Sequence, residues 1–154
     1  MIRPQRVTLL NNSPMRRGRY VLYWMQASQR AEGNHALQYA VRQANERGEP
    51  VVVVFGLTRG FPEANARHYA FMIEGLQETE RALRERGILM VTRIASPEKA
   101  ALEMASEASL VVTDRGYLRI QKAGRASLAE NADRLAAQVE SDVVVPVEVA
   151  SPKE

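Results

Sequence analysis

Five short apolar segments alternate with helical segments along this chain of 154 residues, and this alternation restricts the fold more than any other feature. The apolar segments are residues 20–25, 51–56, 88–94, 110–113 and 136–140. Continuous aliphatic and aromatic runs of this length are typical of strands that are buried on both faces. The pattern therefore predicts an α/β fold, a Rossmann-like doubly wound sheet of five parallel strands with helices on both faces. Right-handed crossovers favour the strand order 3-2-1-4-5.

Helix start and stop signals lie between the strands. Asn34 is a predicted N-cap, and Gly48 is predicted to end the first helix. The longest helix is expected to begin at Pro62 or at Asn65. Ser96 precedes a proline and an acid, a pattern that predicts a capping hydroxyl at the third helix. The fourth helix is predicted over residues 118–130.

The chain length is that of one domain, which buries about 70% of the surface that its unfolded chain exposes. Residues 1–18 are predicted to be an irregular N-terminal arm, with a short extended piece at 7–10, and residues 19–149 form the α/β domain. The chain has no cysteine and no apolar run long enough to cross a membrane. These two features favour a reducing cytoplasm as the location.

The N-terminal arm is basic. Six arginines precede the first acidic residue, Glu32. Such a cluster can bind phosphates or an acidic partner surface. Nucleic-acid binding would also be favoured by aromatic residues among the arginines, and none occurs before Tyr20. We therefore interpret the arm as a solvated basic segment.

The predicted strand order places a ligand crevice between the first and fourth strands, where the direction of winding reverses. Residues 24–28 should face residues 113–115 across this crevice, with residues 55–58 close by. Trp24 has two interpretations, as a core residue or as a wall against which a planar ligand stacks. Asp114 either orients a ligand or caps the following turn.

The sequence lacks the motifs of common nucleotide and metal enzymes. Neither the G-x-G-x-x-G fingerprint nor the phosphate-binding G-x-x-x-x-G-K-[ST] loop occurs. His35 and His68 each lie in the opening turn of a helix without a partner at metal-ligand spacing, so we interpret them as surface or capping residues. Ser13 and Ser28 have no nearby base and lie in no nucleophile elbow.

Several segments resemble one known family. They are Arg19-Tyr-Val-Leu-Tyr-Trp-Met-Gln-Ala-Ser-Gln-Arg30, Asn34-His-Ala-Leu37, Val54-Phe-Gly-Leu57, Phe61-Pro-Glu-Ala64, Arg67-His-Tyr-Ala-Phe-Met72, Thr113-Asp-Arg-Gly-Tyr-Leu-Arg119 and Val139-Glu-Ser-Asp-Val-Val-Val-Pro-Val-Glu148. In this order and spacing they resemble the N-terminal part of class II DNA photolyases, which repair cyclobutane pyrimidine dimers.

The resemblance implies a light-harvesting role. In this family the N-terminal α/β domain can hold an antenna chromophore, a deazaflavin or a folate, while a larger helical domain binds FAD and the DNA lesion. By this resemblance the chain is the first half only, residues 150–154 begin the interdomain linker, and no catalytic residue can be assigned. The chain would serve as chromophore scaffold and docking surface for the FAD-binding helical domain, and it would meet DNA only indirectly.

The residues expected to hold the chromophore are those at the predicted crevice. A flat apolar slot would come from Trp24, Met25, Phe55, Gly56 and Leu57. Hydrogen bonds or charge would come from a second set, Gln26, Ser28, Asp114 and Arg115.

One segment departs from the family pattern. Relatives often place a tryptophan on the fourth helix, where this chain reads Gln121-Lys-Ala-Gly-Arg125. Two other functions stay open, a stand-alone small-ligand or nucleotide-binding α/β protein and a pure protein-interaction module. A homodimer formed through the exposed domain interface is a further expectation.

Overall fold

The computed structural model describes residues 2–61 and 64–151. A short 3-10 helix at Pro4–Arg6 precedes the first strand. The strands are β1 (Val7–Leu9), β2 (Tyr20–Trp24), β3 (Val51–Gly56), β4 (Leu89–Arg93), β5 (Ala108–Asp114) and β6 (Ala136–Val139). The helices are α1 (His35–Arg47), α2 (Ala66–Arg84), α3 (Pro97–Ala105), α4 (Arg119–Asn131) and α5 (Val147–Ala150).

The strands form one sheet in the order β1-β6-β5-β2-β3-β4. The five strands β2 to β6 are parallel and have the predicted order. The predicted α/β class is thereby confirmed, but the predicted count of five strands is wrong. The sixth strand, β1, pairs antiparallel with β6. It was missed because it has only three residues, two of them exposed, and its partner lies at the other end of the chain.

The N-terminal arm is bound to the domain over much of its length. The Arg6 guanidinium donates hydrogen bonds to the backbone carbonyls of Glu140, Val143 and Val144. Further along, the Asn11 side chain donates to the carbonyl of Arg134 and accepts from the N–H of Ala136. Most of these bonds join the arm to backbone groups, and local residue patterns contain little information about such contacts.

Helices cover both faces of the sheet. On one face, α1 and α2 pack against alternate residues of β2 and β3, among them Tyr23 and Val53. On the other face, α3 and α4 pack against the intervening residues, including Trp24 and Val54. The two faces thus divide the core into two layers, as the doubly wound pattern predicts.

Three of the four predicted helix-end signals have the predicted role in the structure. Asn34 caps α1 by accepting from the N–H of Leu37, and Gly48 ends that helix at a φ of 65°. Of the two predicted starts of α2, Asn65 is the N-cap, and Pro62 lies outside the described residues. Ser96 occupies the N-cap position of α3, but its hydroxyl makes no capping bond, so that part of the prediction is wrong.

None of the helices in the described part of the chain combines the length and the apolar character that crossing a bilayer requires.

Candidate chromophore site

A pocket of about 290 Å³ opens at the carboxyl ends of β2 and β3. Six residues predicted for the crevice line it: Trp24, Met25, Gln26, Phe55, Gly56 and Leu57. Other walls come from the N-terminal half of α2, the first turn of α3 and the first turns of α4. We call this cavity the carboxyl-edge pocket. Its position is where parallel α/β sheets commonly bind ligands.

The floor of the carboxyl-edge pocket is aromatic. Trp24 lines it and has no solvent-exposed surface, so this residue is both core and pocket wall. Gly124 of α4 faces the indole: a β-carbon there would lie 3.3 Å from Cη2 and 3.8 Å from Cζ2 of Trp24. The glycine that departs from the family pattern therefore lets α4 pack against the indole more closely than a residue with a β-carbon would.

The segment after β3 is held by a residue of α2. The Tyr69 hydroxyl donates to the carbonyl of Thr58 at 2.7 Å and accepts from the N–H of Phe61 at 3.2 Å. His68 completes the N-terminal capping box of α2, as its Nδ1 accepts from the N–H of Asn65. Its predicted capping role is confirmed, and His68 also lines the pocket. Tyr69 and Met72 also line the pocket, and no signal in the sequence indicated that this part of α2 reaches it.

Asp114 lies outside the pocket lining and organises the loop that follows β2. Its carboxylate accepts three consecutive backbone N–H groups, from Gln26 at 2.8 Å, Ala27 at 2.6 Å and Ser28 at 2.7 Å. Burial raises the pKa of Asp114, and the three N–H donors act in the opposite direction. Asp114 does lie beside the end of β2, as predicted, but its oxygens are used inside the protein.

Tyr23 and Asn34 complete this buried cluster. The Tyr23 hydroxyl donates to Asp114 Oδ1 at 3.4 Å and accepts from Asn34 Nδ2 at 3.0 Å. Burial raises the pKa of Tyr23 well above 10.0, and the nearby Asp114 carboxylate adds to that effect. The cluster joins β2, β5 and the start of α1.

The raised pKa of Tyr23 predicts that the protein loses stability in alkali. The native chain retains the proton above pH 10.0, whereas the unfolded chain releases it near that ordinary value. The stabilising contribution is therefore complete below pH 10.0 and is lost as the pH rises through the native pKa. We expect the free energy of unfolding, measured with urea, to fall between about pH 9 and about pH 11, with a smaller fall in Tyr23→Phe.

Tyr39→Phe is the matched control, because Tyr39 is only partly buried. It should keep the alkaline slope of the unchanged chain. Equal slopes in Tyr23→Phe and the unchanged chain would contradict the prediction.

Ser28 and Arg115 also lie away from the pocket lining. The Ser28 hydroxyl donates to the Asp142 carboxylate at 3.0 Å, and Arg30 pairs with the same carboxylate at 2.9 Å. Arg115 Nε lies 3.8 Å from Glu140 Oε2, and the Arg115 guanidinium lies over the ring of Tyr117. Three of the nine predicted residues, Ser28, Asp114 and Arg115, thus lie outside the pocket lining.

A buried arginine of α4 lies near Arg115 and Asp114. Arg125 of α4 is 6% exposed, and its Nη1 has no hydrogen-bond partner among the described residues. Burial and the nearby charge of Arg115 lower the pKa of Arg125.

Comparison with known proteins relates the chain to DNA-repair enzymes. A family model described as DNA photolyase matches residues 21–154. The chain belongs to the DNA photolyase family. The predicted family relationship is thereby confirmed.

Two relatives in the photolyase family show how much of such a protein the chain represents. It is 52% identical to the deoxyribodipyrimidine photo-lyase of Methanothermobacter thermautotrophicus over 155 residues, 100% of this chain and 35% of that protein. Its identity to the deoxyribodipyrimidine photo-lyase of Arabidopsis thaliana is 34% over 137 residues, 86% of this chain and 28% of that protein. The photolyase chain thus spans about a third of the length of these relatives.

Solved structures resemble the photolyase chain in fold. A universal stress protein from Archaeoglobus fulgidus in complex with dAMP has a TM-score of 0.53 at 17% identity, over 78% of this chain and 96% of that one. Another structure of a universal stress protein from the same organism has a TM-score of 0.54 at 19% identity, over 78% of this chain and 97% of that one. At these identities the likeness concerns the fold alone.

Proposed function

We propose that the chain is the antenna domain of a DNA-repair photolyase and that the carboxyl-edge pocket holds its light-harvesting chromophore, a deazaflavin or a folate. The observation that carries this proposal is the composition of the pocket. Aromatic and aliphatic side chains, including Trp24, Phe55 and Met72, line a cavity that also contains three glutamine amides. A flat conjugated ring needs such an apolar slot with a few directional polar groups.

The residues present fit the ring of such a chromophore. The cavity of about 290 Å³ lies at the lower end of the range for ligand pockets, so it suits one fused ring system with its tail outside. Gly124 lines the pocket, and an alanine β-carbon there would press on the Trp24 indole, at 3.3 Å from Cη2. The indole Nε1 is buried without a hydrogen-bond partner among the described residues, and a ligand that accepts its hydrogen would satisfy it.

Charge and backbone geometry argue against a nucleotide in this site. None of the described residues that line the pocket is a lysine or an arginine. The N–H groups of residues 26–28, which follow the first parallel strand, already bind the Asp114 carboxylate. Successive N–H groups of this kind make phosphate sites when they are free, and here a side chain of the protein occupies them.

The partner that this function requires is a helical domain that contains FAD. In the light-driven reaction of such enzymes the excited flavin splits the pyrimidine dimer, and the antenna only supplies excitation. The residues of this chain therefore bind and orient the chromophore, exclude water from it and contact the second domain. No acid, base or nucleophile of the pocket has to react.

Exposed apolar side chains support such a domain contact. Ile120 and Phe61 line the pocket and are 45% and 43% exposed. Leu118 is 56% exposed, and Val144 before α5 is 91% exposed. Apolar groups on a surface mark contact sites when they are contiguous. We place the domain over residues 19–149 and the contact with the flavin domain near the mouth of the pocket.

Titration of the chain with three ligands tests the proposal. We expect 5-deazariboflavin or 5,10-methenyltetrahydrofolate to bind with a change in its absorption spectrum, and ATP to bind more weakly than either. The native mass and absorbance of the purified chain should be recorded first. Tight ATP binding without chromophore binding would favour the stand-alone nucleotide-binding alternative.

A second test uses the flavin domain. A flavin-loaded helical domain of a photolyase, added to the chain loaded with chromophore, should split pyrimidine dimers at wavelengths that the antenna absorbs. The matched control is the same domain with the chain free of chromophore. Equal rates in both samples would contradict the antenna role.

A further inference from the structure

The three glutamines that line the carboxyl-edge pocket are already engaged inside the protein. Gln26 Nε2 donates to Thr113 Oγ1 at 3.0 Å, and Gln29 Nε2 donates to the carbonyl of Gln26 at 3.1 Å. Gln121 Oε1 accepts from the N–H of Leu118 at 3.1 Å. Each amide thus retains only part of its hydrogen-bonding capacity for a ligand.

Glu98 differs from these amides. Among the described residues that line the pocket it is the only acidic one. It is partly buried, and within the described part of the chain its side chain makes neither a hydrogen bond nor an ion pair. Both carboxylate oxygens are therefore available to a ligand.

The side chain of Glu98 starts on the side of α3 that faces α4. Its Cβ lies 3.8 Å from the position that a β-carbon on Gly124 would take, and Gly124 itself lines the pocket. Pro97, the preceding residue of α3, lines the pocket as well. A glutamate has three rotatable side-chain bonds, and since no bond within the protein holds this one, its carboxylate is free to turn toward a ligand.

A ring that fills the pocket displaces water from this carboxylate. An ionised group that loses water needs a hydrogen-bond donor or a positive charge in return. The described lining contains no lysine or arginine, and His68, which is held in the capping box of α2, is not bonded to Glu98. The donor then has to come from the ligand. Hydrogen bonds to a charged acceptor are about twice as strong as neutral ones, so Glu98 discriminates between ring edges more sharply than the glutamines do.

We propose that the Glu98 carboxylate accepts the hydrogen of a ring N–H of the bound chromophore and thereby determines which edge of the ring enters the pocket. This assignment rests on the proposed antenna function, and it names the residue and the chemical group that orient the ring. A deazaflavin and the pterin of a folate both carry a cyclic amide N–H, so the assignment applies to either. The tail of the chromophore then stays outside the pocket.

Replacement of Glu98 by glutamine tests the role of its charge. Glu98→Gln keeps the shape and one acceptor oxygen, so we expect it to weaken binding of 5-deazariboflavin about tenfold. Glu103→Gln is the matched control, because it makes the same change at an exposed residue of α3 outside the pocket lining, and it should bind like the unchanged chain. Since Glu98 has no polar partner among the described residues, the urea midpoint should be the same in both variants.

A change in the ligand tests the contact itself. In 3-methyl-5-deazariboflavin a methyl group replaces the hydrogen of the ring N–H. We expect the unchanged chain to bind this compound about tenfold more weakly than 5-deazariboflavin. Glu98→Gln should show a smaller difference between the two compounds, because the charge that strengthens the bond is already absent. An equal loss on methylation in both proteins would overturn the assignment, since the effects of groups that are not in contact add.

The outcomes separate this assignment from the antenna function. If the unchanged chain binds 5-deazariboflavin or 5,10-methenyltetrahydrofolate and Glu98→Gln binds the same compound within about twofold, the assignment is wrong and the antenna function stands. If the unchanged chain binds neither compound, both are wrong. If it binds only the folate, the affinity of Glu98→Gln for the folate decides, and we expect the same loss of about tenfold.

Discussion

Replacement of Asp114 by alanine is expected to lower the free energy of unfolding by about 4 kcal/mol, close to the upper end for a single substitution. The carboxylate is buried and accepts three consecutive N–H groups within 2.8 Å. Alanine leaves these donors without that acceptor, and each unsatisfied buried donor costs about 1–3 kcal/mol before water or rearrangement compensates. Urea unfolding followed by circular dichroism measures the difference.

Asp142→Ala is the control for this experiment. Its carboxylate is 34% exposed and accepts from the Ser28 hydroxyl and from Arg30, whose side chain is 43% exposed. Exposed pairs of this kind contribute about 1 kcal/mol or less. If both substitutions cost the same, Asp114 does not hold the loop as described.

The loss of Asp114 should also alter ligand binding at the far side of the loop. Gln26 lines the carboxyl-edge pocket, and its backbone N–H is one of the three donors. Released from Asp114, these N–H groups form an open concave site for anions. We therefore expect the Asp114→Ala variant to bind inorganic phosphate more tightly than the unchanged chain and the chromophore more weakly.

The sequence was sufficient to predict the edge of the sheet at which the pocket lies, but the predicted placement between β2 and β5 is wrong, because the pocket opens beside β2 and β3 and residues 113–115 do not line it. Parallel strands bring their carboxyl ends to one edge, and the order of β3, β2 and β5 follows from right-handed crossovers. The register confirms the predicted neighbours, since Trp24 pairs with Thr113. Six of the nine predicted residues line the pocket for this reason.

The roles of the polar residues could not be predicted in the same way. Asp114 was expected either to orient a ligand or to cap its own turn, and in the structure it binds the loop of another strand. That outcome depends on the direction of three backbone N–H groups, and residue types do not encode those directions. The parts of α2 and α4 that line the pocket were also missed, because helix position over a sheet depends on packing.

Gly124 has one meaning as a position in a helix and another as a position in the folded structure. Along the sequence it is an unfavourable residue within a helix, with a cost of about 1 kcal/mol relative to alanine. In the structure it lies against the only tryptophan of the chain and lines the pocket. The helix-propensity cost of Gly124 is thus accompanied by a close approach of α4 to Trp24 at the candidate site.

Gly56→Ala is the second substitution with a large expected effect, a loss of about 3 kcal/mol in the free energy of unfolding. Gly56 ends β3 and lines the pocket. A β-carbon there would lie 2.5 Å from Cα and 3.0 Å from N of Pro97, the first residue of α3. These are backbone atoms, so α3 has to move as a unit, and the pocket wall that Pro97 forms moves with it.

Gly75→Ala is the matched control for Gly56→Ala, since it makes the same chemical change where a β-carbon meets open space. Gly75 lies within α2, and alanine is favoured over glycine there by about 1 kcal/mol. The control should therefore raise the urea midpoint, whereas Gly56→Ala lowers it and also weakens binding of 5-deazariboflavin. β3 and α3 are adjacent in space, although α2 and β4 separate them along the chain. Unchanged stability in Gly56→Ala would contradict the close approach of β3 to α3 on this side of the pocket.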